Sequence, residues 1–216
     1  MSIRDMVTRH SDYNETQDMI PTPPYAMRAL YEYVAPELKD RAPELTAWEP
    51  AAGFCHLSSV MEEYGHKSVL STDKNVQDRT FRGLKVSQQD FLAFTGTSAD
   101  FIATNPPYKY AEQFVKLSLD RANCYVAMLV RVQALEGQTR YRRLYNNLKP
   151  TKVALFSDRI PFKTGEVVRK ASKMFFHVWV FWDKSKMRGS NHDCELMWIR
   201  PDAQKQLEKD SDYESF

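Results

Sequence analysis

Asp100-Phe101-Ile102-Ala103-Thr104-Asn105-Pro106-Pro107-Tyr108 decides how this chain is read. Its first half is a short apolar run of strand length. The two prolines end it, because proline lacks the amide hydrogen that a sheet ladder needs. Each also fixes its own φ and biases the residue before it toward extended backbone, so the carbonyls of the turn point in set directions. From Ala111 to Arg121 the apolar positions recur at helical spacing. A strand, a stiff turn and an amphipathic helix make one βα unit.

The same alternation runs outward in both directions. Upstream, Pro21-Thr22-Pro23-Pro24 breaks the chain, and Tyr25 to Tyr33 predicts a helix. Leu45-Thr46-Ala47-Trp48 predicts a buried strand, followed by a turn at Gly53, a helix from Leu57 to Tyr64 and a stop at Gly65. Lys67 to Thr72 predicts a second strand ending at Asp73, and Leu84-Lys85-Val86 a weak third. Downstream, Cys124 to Val132 is a strongly apolar strand and Arg140 to Leu148 a basic helix. Val153 to Phe156 and Met174 to Trp182 then pair as a hairpin. Strands separated by helices imply a mostly parallel sheet covered on both faces, here with seven strands and a C-terminal antiparallel hairpin. The expected organisation is an arm over residues 1–20, one α/β domain over 21–200, and a charged, flexible tail over 201–216.

Bulk composition fits that picture. With 216 residues, 43% hydrophobic and 27% charged, the chain suits one globular domain. No apolar stretch approaches the ~18 residues needed to span a bilayer, and the N-terminus lacks the apolar core of a secretion signal. Three widely spaced cysteines, Cys55, Cys124 and Cys194, fit a reducing cytoplasm better than a disulfide framework. His192-Asp193-Cys194 has no second His/Cys pair near it, so no metal site is expected. Net charge is only +2, yet residues 138–173 hold ten basic side chains against two acidic ones, leaving the remainder at −6. Such a concentration of positive charge suits a polyanionic partner.

In a parallel α/β sheet, ligands bind outside the carboxyl ends of the strands. The residues just past those ends are Glu49-Pro50-Ala51-Ala52-Gly53, Asp73 with Lys74, Asp90-Phe91, and Asn105 to Tyr108. Small residues at 51–53 let a backbone approach a ligand closely. Asp73 is placed to accept hydrogen bonds from ribose hydroxyls; Asp90 suits an adenine amine and Phe91 the face of its ring. The Asn105 turn suits different chemistry. An amide oxygen (Asn105) and a backbone carbonyl (Pro106) can each accept a hydrogen from an exocyclic amine. Together they localise its lone pair and stabilise the positive charge that develops as it attacks an electrophile. Tyr108 offers a flat face for an extruded base. No phosphate loop with Lys-Ser/Thr is present.

In this order and spacing, these motifs resemble the S-adenosylmethionine-dependent amino-methyltransferases with an Asn-Pro-Pro-Tyr motif, and among them the small phage and prophage DNA N6-adenine methyltransferases. Thr22-Pro23-Pro24-Tyr25-Ala26, Leu135-Glu136-Gly137-Gln138 and Met174 to Asp183 resemble further stretches of that group. The resemblance implies a Rossmann-like class I methyltransferase fold. It implies S-adenosylmethionine along Thr22, Pro23, Glu49, Pro50, Ala51, Ala52, Gly53, Asp73, Lys74, Asp90, Phe91 and Asn105. Asn105, Pro106, Pro107 and Tyr108 would act on adenine N6 in DNA. Tyr108 and the basic loop residues Arg159, Lys163, Arg169 and Lys170 would hold the nucleic acid, mostly through phosphates. One position departs from the family: Cys55 stands where the cofactor turn usually carries its second glycine, where a side chain either crowds the cofactor or forces φ negative. RNA base amines, a protein glutamine amide and a non-catalytic nucleic-acid-binding homologue remain open as alternatives. The oligomeric state is not legible.

Overall fold

The computed structural model describes residues 20–76, 80–170, 175–187 and 191–214. Residues 1–19 of the expected N-terminal arm, together with Lys173 and Met174, lie outside the described residues. One mixed sheet carries eight strands: β1 (Thr46–Glu49), β2 (Ser68–Asp73), β3 (Ser87–Gln88), β4 (Ala99–Thr104), β5 (Ala122–Arg131), β6 (Lys152–Phe156), β7 (His177–Asp183) and β8 (Glu195–Ile199). Their order across the sheet is β3-β2-β1-β4-β5-β7-β6-β8. The first five are parallel, β7 runs antiparallel to both β5 and β6, and β6 and β8 run parallel.

Alternate residues of the central strands feed two separate cores. Ala47, Phe101, Ala103, Tyr125, Ala127, Leu129, Trp179 and Phe181 face one side. Trp48, Ile102, Val126, Met128, Val130, Val178, Val180 and Trp182 face the other. This two-sided burial is why β5 and β7 read as near-continuous apolar runs. The first side is covered by α1 (Pro24–Ala29), α2 (Pro36–Arg41) and α3 (His56–Glu63), and the second by α4 (Ala111–Arg121) and the helical residues 138–145. Trp179 donates its indole N–H to the Ala26 carbonyl at 2.8 Å, tying α1 to β7.

Three expectations differ from the structure. The third strand is Ser87–Gln88, just past the predicted Leu84–Val86. An eighth strand, β8, extends the sheet beyond the expected seven; Leu196 and Trp198 on it are exposed, so it lacks the one-sided burial by which strands are recognised. The residues after Pro201 also fold back instead of fraying. α5 (Ala203–Leu207) and a helical turn over Asp210–Tyr213 bring Asp212 to Arg28 on α1, in two contacts of 2.6 and 2.8 Å. Arg28 also binds Glu63 of α3, with Nε–Oε1 at 3.0 Å. Both Arg28 and Asp212 are buried. The tail is thus held by a buried charge pair as well as by Ala203 and Leu207, which pack into the core. No helix among the described residues is long and apolar enough to cross a membrane.

Candidate active site

The carboxyl ends of β3, β2, β1, β4 and β5 line one edge of the sheet, together with the amino end of antiparallel β7, since Arg131 pairs with His177. In this order that edge presents Asp90, Asp73, Glu49, Asn105, Arg131 and His177. Neighbouring strands are about 5 Å apart, so consecutive members fall within reach of one elongated ligand. β1 and β4 are adjacent while the chain leaves them toward opposite sides, which makes Glu49 and Asn105 the two flanks of the topological switch point.

The first half of the edge is acidic and backbone-rich. Asp73 accepts the Gly53 amide through Oδ2 and the Asn75 amide through Oδ1, each at 2.9 Å. Burial raises its pKa and these backbone bonds oppose the rise. Glu49 is buried, and its Oε2 accepts the Ser58 amide at 2.7 Å and the Ser58 hydroxyl. Burial outweighs these bonds and pushes the carboxyl up to about 8. Ser71 donates to Ser58 at 2.7 Å, extending the chain of hydroxyls inward. Lys74 lies 3.9 Å from Asp90, whose Oδ1 caps the following turn through the Leu92 amide. Phe91 departs from its expected place over an adenine ring: its side chain is in the core, 5.1 Å from Trp48 and 4.9 Å from Phe114 between ring centres.

Cys55 sits at φ 67°, in the left-handed region, as the residue before α3. The side chain therefore does not force φ negative; the turn keeps its glycine-like geometry around it. The thiol is wholly buried, and burial beside Glu49 raises its pKa to about 12.

At the switch point, Asn105 donates from Nδ2 to the Thr22 hydroxyl at 2.9 Å, which turns Oδ1 outward as an acceptor. Among the described residues neither Asn105 Oδ1 nor the Pro106 carbonyl accepts a hydrogen bond, whereas the Pro107 carbonyl accepts the Tyr110 amide at 2.9 Å. The two acceptors that sequence reasoning singled out are thus the two left without a partner. Thr22 was expected beside a cofactor; its observed contact is with the asparagine.

The second half of the edge is aromatic and cationic. The Arg131 guanidinium carbon lies 3.6 Å from the ring centre of Tyr108 and 3.6 Å from that of Phe175. Tyr108 Oη is 3.3 Å from His177 Nε2, and Phe162 packs on His177 at 4.5 Å. Burial, reinforced by the Arg131 charge, holds His177 down near 4, so it is neutral at pH 7. Arg159 lies 3.9 Å over Phe176. The other basic residues expected to hold substrate are differently engaged. Arg169 pairs with Asp210 and with Glu208 of the C-terminal tail, and Lys163 pairs with Glu166; Lys170 is exposed. Arg131, Phe175 and Phe162 were missed by sequence reasoning, although the end-of-strand rule, applied to β5, points to Arg131.

His192 and Asp193 lie at the opposite end of the strands, where with Thr151, Lys152, Lys186 and Glu195 they line a hollow of about 250 Å³. Among the described residues no group of three or more His, Cys, Asp or Glu side chains is arranged to hold a metal.

Solved structures with a similar architecture include several described as methyltransferases. A protein from Pyrococcus horikoshii assigned as an RNA methyltransferase is 18% identical, with a TM-score of 0.58 over 80% of this chain and 91% of that one. A modification subunit assigned to a type I restriction enzyme from Vibrio vulnificus is 13% identical, with a TM-score of 0.58 over 94% of this chain and 54% of that one. A protein from Listeria monocytogenes assigned as a class I S-adenosylmethionine-dependent methyltransferase is 10% identical, with a TM-score of 0.57 over 93% and 72%. No protein-family model matches the sequence, and neither does any curated protein. The shared fold is that of the class I methyltransferases; at these identities the likeness extends to the fold alone.

Proposed function

We propose that this chain is an S-adenosylmethionine-dependent methyltransferase that modifies the N6 amine of adenine in DNA. The observation that carries the proposal is Asn105. At the switch point of a methyltransferase fold, its amide is oriented by Thr22 so that Oδ1 and the Pro106 carbonyl form a pair of unused acceptors.

The acidic half of the edge fits the cofactor. Asp73 suits the ribose hydroxyls, Asp90 the adenine amine, and buried Glu49 a cationic methionine end. When bound, S-adenosylmethionine supplies an electrophilic methyl group on a sulfonium and leaves as a neutral thioether. Asn105 and Pro106 would each accept a hydrogen from the target amine, concentrating its lone pair as the nitrogen–methyl bond forms and the sulfur–methyl bond breaks. The spare proton then passes to water, so no general base is required, in keeping with a neutral, enclosed His177. The aromatic half supplies stacking surfaces, and the basic residues around it suit a phosphate backbone.

The test is methyl transfer to duplex DNA, single-stranded DNA, RNA and protein, read by mass spectrometry of nucleosides and peptides. N6-methyladenine from DNA is the expected product; methyl appearing only in RNA or protein would replace the DNA assignment. Asn105→Ala should lower kcat by at least about 10²-fold while calorimetry still finds cofactor binding. Undiminished transfer by that variant would remove Asn105 from the mechanism.

A further inference from the structure

Arg131 occupies an unusual position. It ends β5, its guanidinium lies over two ring faces at 3.6 Å each, and its buried Nε has no hydrogen-bond partner. Among the described residues the Arg131 side chain makes no hydrogen bond or ion pair. A guanidinium carries five donors, and arginines held for structure normally spend them on carboxylates or carbonyls. What holds Arg131 is stacking alone. The two rings come from independent elements: Tyr108 from the turn after β4, Phe175 from the segment leading into β7. At 3.6 Å from each ring centre, the guanidinium carbon is within stacking distance of both rings, the place a planar ligand would take.

We infer that the Arg131 guanidinium is a stand-in for the substrate base: it fills the slot between Tyr108 and Phe175 in the unliganded protein and must withdraw before a base can stack there. The inference rests on the base-binding reading of the Asn105–Tyr108 turn, and adds to it a competing occupant supplied by the chain itself. A planar cation fills the slot as a base would. It is also easily displaced, because no acceptor anchors it. Once withdrawn, it carries a positive charge beside the mouth of the slot, where a phosphate flanking the extruded nucleotide would meet it. An uncharged planar ligand therefore competes with Arg131, and its apparent affinity is reduced by the fraction of time the slot is filled.

The probe is 2-aminopurine riboside, a phosphate-free planar nucleoside whose fluorescence is quenched on stacking. Arg131→Ala should bind it at least about fivefold more tightly than the parent, as expected if the slot is open in roughly a fifth of parent molecules. Arg131→Gln, which keeps side-chain bulk and a polar end, should fall between the two and guards against collapse of the alanine variant. Adding Tyr108→Ala to either variant should abolish binding. If both Arg131 variants bind the riboside no better than the parent, Arg131 is a buttress for Tyr108 and the inference is overturned. Riboside binding that survives loss of Tyr108 overturns it equally. Methyl transfer by the parent is scored separately. Product without tightening leaves the methyltransferase reading standing and removes the stand-in; tightening without product on any nucleic acid does the reverse.

Discussion

Glu49 and Cys55 show how far single positions are bent toward the site. Glu49 is a carboxyl group enclosed at the end of β1 and supported by Ser58. Its folded pKa, about 8, lies above the ordinary 4.5. Between those values the native protein holds a proton that the unfolded chain has released, so this group's contribution to stability is full below about pH 4.5 and is lost as pH rises to 8. His56 and His177, both held near 4 by burial, act in the opposite sense between 4 and 6.5. The difference between parent and Glu49→Gln isolates the carboxyl. In urea denaturation, the variant should gain on the parent steadily from pH 5 to 8, and a constant difference would contradict the assignment. Cys55 balances two terms. A non-glycine residue in the left-handed region costs about 1–2 kcal/mol, while the buried thiol returns about 1 kcal/mol. Cys55→Gly should accordingly shift stability by no more than about 1 kcal/mol. Cys55→Val, whose branched side chain is ill suited to φ 67°, should cost at least about 2 kcal/mol. Thermal melts of the two variants check both figures.

At the scale of elements, the C-terminal segment is secured by charge. Arg28 and Asp212 are both buried and joined at 2.6 Å, with Glu63 completing the link between α1, α3 and the tail. Removing one partner of such a pair leaves the other buried and uncompensated, which typically costs about 3–5 kcal/mol. Asp212→Ala should cost about 3 kcal/mol in urea denaturation, whereas the double change Arg28→Met with Asp212→Leu should recover most of the loss. A loss below about 1 kcal/mol in the single variant would mean the tail adds little to the fold. The same contrast explains what the sequence made legible. β1, β4, β5 and β7 are buried on both faces, so composition alone marks them. β8 is an edge strand with Leu196 and Trp198 exposed, and residues 201–214 are polar; neither leaves an apolar pattern to read. In the site, Asp73 and Asn105 announced themselves by standing just past strands. Phe91 did so too, but whether its ring faces the crevice or the core depends on the packing of Trp48 and Phe114. Arg131 stood at the end of a strand as well, but its role depends on rings that approach from distant parts of the chain.

Over the whole molecule, the edge of the sheet is divided by charge: Asp90 and Asp73 on one side of Asn105, and Arg131 and Arg159 toward the other. The division suits a cationic small molecule meeting a polyanion at the asparagine. It also corrects a simple count over residues 138–173. Lys152 lies at the far end of the strands, bound to Glu37 at 2.8 Å, and Lys163 and Arg169 are paired within the chain. The count therefore overstates the charge available to a partner. Nucleic-acid affinity measured against salt separates the two views. If Arg159 and Lys170 neutralise phosphates, replacing both with Gln should flatten the slope of log K against log salt by roughly 0.7–0.9 for each phosphate no longer neutralised. Lys152→Gln should leave the slope unchanged. Equal flattening by all three substitutions would mean that affinity follows net charge alone, whatever the placement of the cations. A slope that Arg159 controls would put the polyanion on the aromatic side of Asn105, next to the slot that Arg131 fills.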